Sequence, residues 1–298
     1  MKILVSGSHG LVGSALVPAL EGKGHPVVRL VRGVSPAAGP QVDWDPEGGR
    51  LDPASLAGFE AMVHLAGENI AARRWSEAQK ARIRESRVKG TRLLCETFAT
   101  LPLPPKVLIA ASAIGFYGDR GDEALGEESK PGTGYLPEVC KAWEAATEPA
   151  ARKGIRVVSL RFGIILSPAG GALAKMLFPF KMGVGGILGS GRQYMSWISL
   201  DDAVGVVLHV LETSSLRGPV NAVAPQAVTN ARFTKTLGRV LKRPTLFPMP
   251  AFAARLAFGE LADPLLLAST RVEPKRLLAS DYPYRHRELE ATLRHLLG

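Results

Sequence analysis

Two rhythms of hydrophobic and polar positions alternate along the first two-thirds of the chain. Short apolar, β-branched runs occur at KILVS (2–6), PVVRLV (26–31), AMVHLAG (61–67), KVLIAAS (106–112) and RVVSLRFG (156–163). They are too short for helices and too uniformly apolar for half-exposed strands, so they read as buried strands. Between them lie helical stretches: one to Gly24, a basic one to about Ala99, and one containing CKAWEAATEPAARKG. This alternation predicts an α/β fold, a doubly wound parallel sheet with helices on both faces. From about residue 166 glycine-rich segments (PAGGALAK, KMGVGGILGSGRQ) interrupt the pattern. WISLDDAVGVVLHVLE (197–212) then restores a strand-loop-helix unit expected to rejoin the sheet. After NAVAP (221–225) come two helical segments, a proline-marked loop RPTLFPMP, and a tail that reads as a small helical and irregular lobe. The expected division is a nucleotide-binding domain over 1–225, with about 166–196 contributing to a cap, and a C-terminal domain over 226–298.

Composition narrows the class. A chain of 298 residues with 46% hydrophobic content can bury one large core and an appendage. No apolar run approaches the roughly 18 residues that span a bilayer, and MKILVSGSHG meets glycine and histidine too early for a signal peptide. The expectation is a cytoplasmic protein away from the membrane. Cys95 and Cys140 are the two cysteines, too few for a disulfide framework or a metal cluster, so no metal is expected. The net charge of +10 raises the question of nucleic acid, because residues 73–92 hold eight Lys/Arg against two Glu. No zinc-finger spacing, basic-aromatic motif or low-complexity arm accompanies them. A solvated helix face is the plainer reading, and an arginine turned into a pocket for an anionic ligand is the sharper one. No nucleic-acid partner is expected.

The first strand runs into Gly7-Ser8-His9-Gly10-Leu11-Val12-Gly13 and then a helix. Gly-x-x-Gly-x-x-Gly in that setting permits a tight turn, close approach of a pyrophosphate and its placement at a helix N-terminus. The second strand then bears on which dinucleotide. An NAD site usually places Asp or Glu about 20 residues beyond the glycines for the ribose 2′-hydroxyl. Between Glu21 and Asp43 there is no acidic residue, and the strand ends instead at Val31 and Arg32. A guanidinium there suits a 2′-phosphate, so NADP (NADPH) is the expected cofactor, with Arg29 the weaker candidate. The bland alternative is a solvated strand-end arginine.

The glycine fingerprint, HLAG (64–67), VKGT (88–91), SAIGFYGD (112–119) and WISLDD (197–202) together resemble the extended short-chain dehydrogenase/reductase superfamily. HLAGENIA, RRW, VCKAWE, the long LAKMLFPFKMGVGGILGSGRQYMSWISLDD string, NAVAPQAVTN and GELADPLLLAS…RVEPKRLL resemble its atypical "epimerase family" branch over nearly the whole chain. The resemblance implies a Rossmann-like domain holding NADP, with a smaller C-terminal substrate or cap lobe over the cleft. It implies cofactor contacts from Trp44 and Asp45 after the second strand, from Leu65, Ala66, Gly67 and Glu68, and from Arg161 and Phe162. It also implies oxidoreductase or epimerase chemistry on a small, anionic or nucleotide-linked substrate. Some relatives in this branch carry labels linked to cell or plastid division, so the alternative is a non-catalytic NADP-binding sensor or regulator acting through a protein partner.

Ordinary members of the superfamily use Tyr-x-x-x-Lys, which places an activated phenol and an ammonium one helical turn apart. Four residues beyond the five tyrosines stand Gly121, Val139, Ile198, His286 and Glu288, and none is lysine. Registering YLPEVCKAWE on Glu144 puts Leu136 and Cys140 at the two positions, with Tyr135 and Lys141 on other faces. Arg87 stands where the superfamily usually has asparagine. Ser112, Tyr135, Cys140 and Arg87 are therefore the candidate catalytic residues; the plainer readings of Cys140 and Tyr135 are a buried thiol and a packed ring. Replacing Arg32 by alanine is expected to weaken NADPH far more than NADH in a fluorescence titration, and equal affinities for the two in the unsubstituted protein would overturn the assignment.

Overall fold

In the computed structural model, which describes residues 1–33 and 39–298, Ile3, Leu4, Val5 and Ser6 are all closed to solvent. A strand so buried needs cover on both faces. β1 (Ile3–Ser6) has it, inside a seven-stranded parallel sheet with β2 (Val27–Val31), β3 (Gln41–Asp43), β4 (Ala61–His64), β5 (Val107–Ala113), β7 (Arg156–Phe162) and β11 (Gly218–Ala222), where it lies between β4 and β2. The order β11-β7-β5-β4-β1-β2-β3 is doubly wound, as the alternation predicts. Side chains alternate across the pleat. Ile3 and Val5 join Leu16, Leu20, Val207 and Val210 on one face, under α1 (Leu11–Gly22) and α6 (Leu200–Glu212). Leu4 joins Met62, Leu94, Phe98 and Leu108 on the other, under α2 (Glu77–Thr100).

Two sequence expectations need correction. The stretch containing CKAWEAATEPAARKG forms two helices, α3 (Tyr135–Ala145) and α4 (Glu148–Arg152). Pro149 sits in the first turn of α4, where its missing N–H is harmless; inside one long helix it would clash with the preceding turn. The strand of WISLDD also fails to rejoin the main sheet. The edge of β7 is taken by β11, and at Gly163 the chain turns away, its N–H donating to Ala222 O at 3.1 Å. β8 (Ile164–Leu166) therefore pairs with β10 (Trp197–Ser199) in a separate ladder.

The remaining elements pack outside the main sheet. β6 (Ala124–Leu125) pairs with β13 (Arg271–Val272), and β9 (Tyr194–Met195) with β12 (Val228–Thr229). Helices α5 (Gly171–Lys181), α7 (Asn230–Leu241) and α10 (Leu289–Leu297) share a core of Leu173, Phe180, Trp197, Phe233, Leu237, Leu289 and Leu293. Helix α8 (Ala251–Phe258) lies against Arg74, which donates to the carbonyls of Leu256 and Ala257. Short α9 (Lys275–Ala279) packs beside β11. Asp202 joins the tail to α6: its fully buried carboxylate accepts from Ser199 Oγ, Tyr282 OH and the backbone N–H groups of Arg285 and His286 at 2.9–3.0 Å. Among the described residues no helix is long and apolar enough to cross a membrane.

A polar chain runs through the middle of this apolar body. Ser6 Oγ lies 2.6 Å from His64 Nδ1, and His64 Nε2 lies 3.0 Å from Thr91 Oγ1, which also accepts the Trp143 indole N–H at 3.0 Å. These bonds tie β1, β4, α2 and α3 together at the C-terminal ends of the strands. Burial pushes the His64 imidazole down to about 4, so it is neutral in the folded protein. The unfolded chain takes up that proton near the ordinary value of 6.5, the folded one near 4. Stability is therefore lost as pH falls through this window and levels off below it, by up to roughly 3 kcal/mol. Urea unfolding of the unsubstituted chain at pH 7 and pH 4.5 is expected to show this loss, and the His64→Gln chain a distinctly smaller one.

Candidate functional site

Gly7 ends the first strand with φ +68°, and a Cβ there would stand 2.7–2.8 Å from the backbone of Leu65 and Ala66. At Gly13 a Cβ would meet Gly7 O at 2.2 Å. The turn thus folds tightly on itself, with helix α1 drawn down onto it. The helix start offers unpaired backbone donors: Gly10 caps it without a side-chain bond, and its first turn holds no acid. Ser8 Oγ is buried and has no hydrogen-bond partner among the described residues. An orphaned hydroxyl beside free helix N–H groups is the arrangement that an anion completes. His9 and Gly10 are exposed, while Leu11 and Val12 are half-buried. The Leu11 side chain lies against Gly170 and Gly171, so the loop touches the start of α5.

At the next strand end Val31 is half-buried and Arg32 projects outward, 72% exposed, with Glu47 at 3.7 Å as a loose partner. Asp43 is turned towards the backbone, accepting Gly33 N–H at 2.8 Å. Trp44 and Asp45 have structural employment. Trp44 is buried edge-on to His64 and against Gly90. Asp45 accepts from Gly48 N and Arg50, contacts that hold its carboxyl below the usual range. After β4, Leu65 and Ala66 form the wall that Gly7 abuts, and Gly67 lies beside Arg87. Glu68 receives Gln79 Nε2 at 3.4 Å, and its N–H donates to Ser86 Oγ.

The four candidate catalytic residues occupy one neighbourhood in different states. Ser112, at the end of β5, donates to Glu144 Oε1 at 2.7 Å. Glu144 is gripped by Arg161 through two bonds of 2.8 Å, and Arg161 also donates to Tyr117 OH and Glu127 O while covering the Phe116 ring at 3.5 Å. Burial opposes the Arg161 charge, but Glu144 outweighs it and holds the guanidinium above its ordinary pKa. Phe162 is buried beside it. Arg161 thus faces an internal ion pair. Leu136 and Cys140 both face Gly115, as the helix register predicts. Burial pushes the Cys140 thiol up to about 12, with Glu144 adding to the effect, so it stays protonated at neutral pH. Tyr135 donates to Lys80 O at 2.6 Å and packs edge-on to Trp75.

Arg87 differs from the other cations of the basic helix. Lys80, Lys89 and Arg92 pair with acids along or beside α2. Arg87 turns inward, with Nη1 donating to Glu68 O at 2.9 Å and Ile83 O at 3.1 Å and Cζ 5.0 Å from the Trp143 ring. Nε and Nη2 take no hydrogen bond among the described residues. Burial lowers its pKa, opposed by Cys140, Tyr135 and Glu68, but an arginine remains cationic. The result is a fixed positive group over an aromatic floor, beside a protonated thiol.

The sequence profile of the NAD-dependent epimerase/dehydratase family matches residues 3–223, from the first strand through β11. The chain belongs to that family. A second profile, a domain of unknown function (DUF1731), covers residues 249–296. The epimerase family protein MT2273 of Mycobacterium tuberculosis is 44% identical over 98% of this chain and 96% of its own length. The crystal structure of the human epimerase family protein SDR39U1 (isoform 2) with NADPH has a TM-score of 0.90 and 34% identity, covering 99% of both chains. A nucleoside-diphosphate sugar epimerase from Corynebacterium glutamicum has a TM-score of 0.83 and 38% identity over all of this chain and 58% of its own.

Within this family's fold, sequence reasoning missed the groups that hold the site together. Glu144 served there only to register a helix, yet it links Ser112 to Arg161; the available signal was a lone acid on a buried helix face, opposite a buried strand arginine. His64, Thr91 and Trp143 carried no spacing that would have joined them. Removing one member of the Glu144–Arg161 pair leaves a buried charge without its counterion, so Glu144→Leu is expected to destabilise the fold by about 3 kcal/mol in urea unfolding. Glu144→Leu with Arg161→Met is expected to recover part of that loss.

Proposed function

We propose that this protein binds NADPH and acts as an oxidoreductase of the epimerase/dehydratase family on a small anionic carbonyl or hydroxyl compound. The observation that carries the cofactor half is the glycine turn with its orphaned Ser8 hydroxyl and acid-free helix start. The NADPH in the human relative's structure supports the same reading. Residues 7–13 would hold the pyrophosphate, and Arg32 would meet the 2′-phosphate. NADPH, when bound, supplies hydride.

What the chain supplies is an unusual surrounding for that chemistry. Cys140 stays protonated at neutral pH, the Tyr135 hydroxyl is committed to a backbone carbonyl, and Ser112 is committed to Glu144. None of them is set up as the general base that a Tyr-x-x-x-Lys pair provides. Arg87 fits the task of binding an anionic substrate group or steadying negative charge at a reacting oxygen. A second reading, an NADPH-binding sensor that meets a protein partner, draws support from the exposed apolar side chains Phe178, Met182, Leu246, Phe247, Phe252 and Leu256 on the smaller lobe.

NADPH oxidation should be followed over a panel of carbonyl compounds in matched neutral and carboxylate- or phosphate-bearing forms. Turnover is expected for anionic members, with Arg87→Ala lowering their kcat/KM about 10- to 100-fold while NADPH affinity changes little. Absence of turnover across the panel, together with unchanged ligand binding in Arg87→Ala, would overturn the enzymatic reading in favour of the sensor.

A further inference from the structure

The tail that Asp202 anchors also gathers three potential metal ligands. Asp201 lies in the first turn of α6, His286 just beyond Tyr284 in the tail, and His295 near the end of α10. His286 Nε2 is 3.4 Å and His295 Nε2 3.5 Å from the same oxygen, Asp201 Oδ2. The three ligand atoms lie within 4.8 Å of one another, and the two rings are tilted by 33° with centroids 4.7 Å apart.

Both distances are longer than a direct hydrogen bond, whose heavy atoms lie at about 2.7–3.2 Å, and the arrangement leaves room between the three groups for a cation. Two ion pairs would require two imidazolium rings side by side, sharing one carboxylate charge between them. A cation between three ligands is different. With metal–ligand bonds of about 2.0–2.2 Å, neighbouring atoms of a tetrahedral zinc shell lie about 3.3–3.6 Å apart. Two of the three edges already have that length, and the third is within 4.8 Å.

We propose that Asp201, His286 and His295 bind a zinc ion, with the fourth position open to water. Two neutral imidazoles and one carboxylate are a borderline-soft N/O set of the kind zinc takes. The ligands are held before any metal arrives. Asp202 fixes the N–H of Arg285 and His286 at 2.9 Å, Ser199 caps the helix that carries Asp201, and Leu289 and Leu293 bury the inner face of α10. The ion would clamp the last helix to the start of α6.

Zinc chloride should be titrated calorimetrically into the full chain after chelator treatment. One equivalent is expected to bind at least 100-fold more tightly than to His286→Ala or His295→Ala, and to raise the melting temperature only of the unsubstituted chain. Cobalt(II) should give the ligand-field absorption of a low-coordinate N/O site, lost in Asp201→Asn, a variant that keeps the side chain's shape. His295 is exposed, so His295→Ala should melt with the unsubstituted chain when no metal is present. Equal zinc affinity in the unsubstituted and substituted chains, which would place the ion on other histidines such as His9 or His25, would overturn the proposal, as would failure to bind.

Discussion

The close approach of Gly7 to the Leu65–Ala66 peptide is the contact on which the site depends. It exists because position 7 has neither a side chain nor an ordinary backbone conformation. Through it the turn after β1 rests directly on the end of β4, which brings the helix donors of α1 beside the HLAGE segment. Any side chain at position 7 would separate the two strand ends. The Ser6–His64–Thr91–Trp143 chain then extends that contact downward, locking the same strand ends to the two helices that carry Arg87 and Cys140. Backbone proximity sets the geometry, and a buried polar relay keeps it in place.

Much of this was legible in the residues. Runs such as ILVS and AMVH, buried on both faces, could only belong to the middle of a parallel sheet, and the glycine spacing announced a helix start built for an anion. The register of α3 was also readable, because Leu136 and Cys140 do share a face against Gly115. What the sequence hid depended on contacts distant along the chain. Nothing in WISLDD says that β11 has already taken the sheet edge, and nothing near Arg161 shows that its partner is Glu144. Trp44 illustrates the same limit: nothing around it in the sequence shows that its ring is buried edge-on to His64.

The network around Glu144 holds α3 in place without calling on a tyrosine and lysine one turn apart. In this chain the end of β5, the middle of α3 and the end of β7 are joined by a carboxylate shared between a hydroxyl and a guanidinium. Those links position α3 whether or not it carries a reactive phenol. Scaffold and chemistry are held by different residues, so one can change while the other stays.

A similar separation governs the nucleotide turn. Its backbone grip has no slack, since a single methyl at Gly7 or Gly13 would collide with main chain. Arg32, by contrast, is largely exposed at a strand end, with Glu47 as a loose partner. A rigid grip suits what all dinucleotides share, and an unencumbered side chain suits what distinguishes them. With Arg32 on the 2′-phosphate, as proposed, cofactor preference would be an exchangeable surface trait, rewritten at one position without touching the turn that holds the nucleotide.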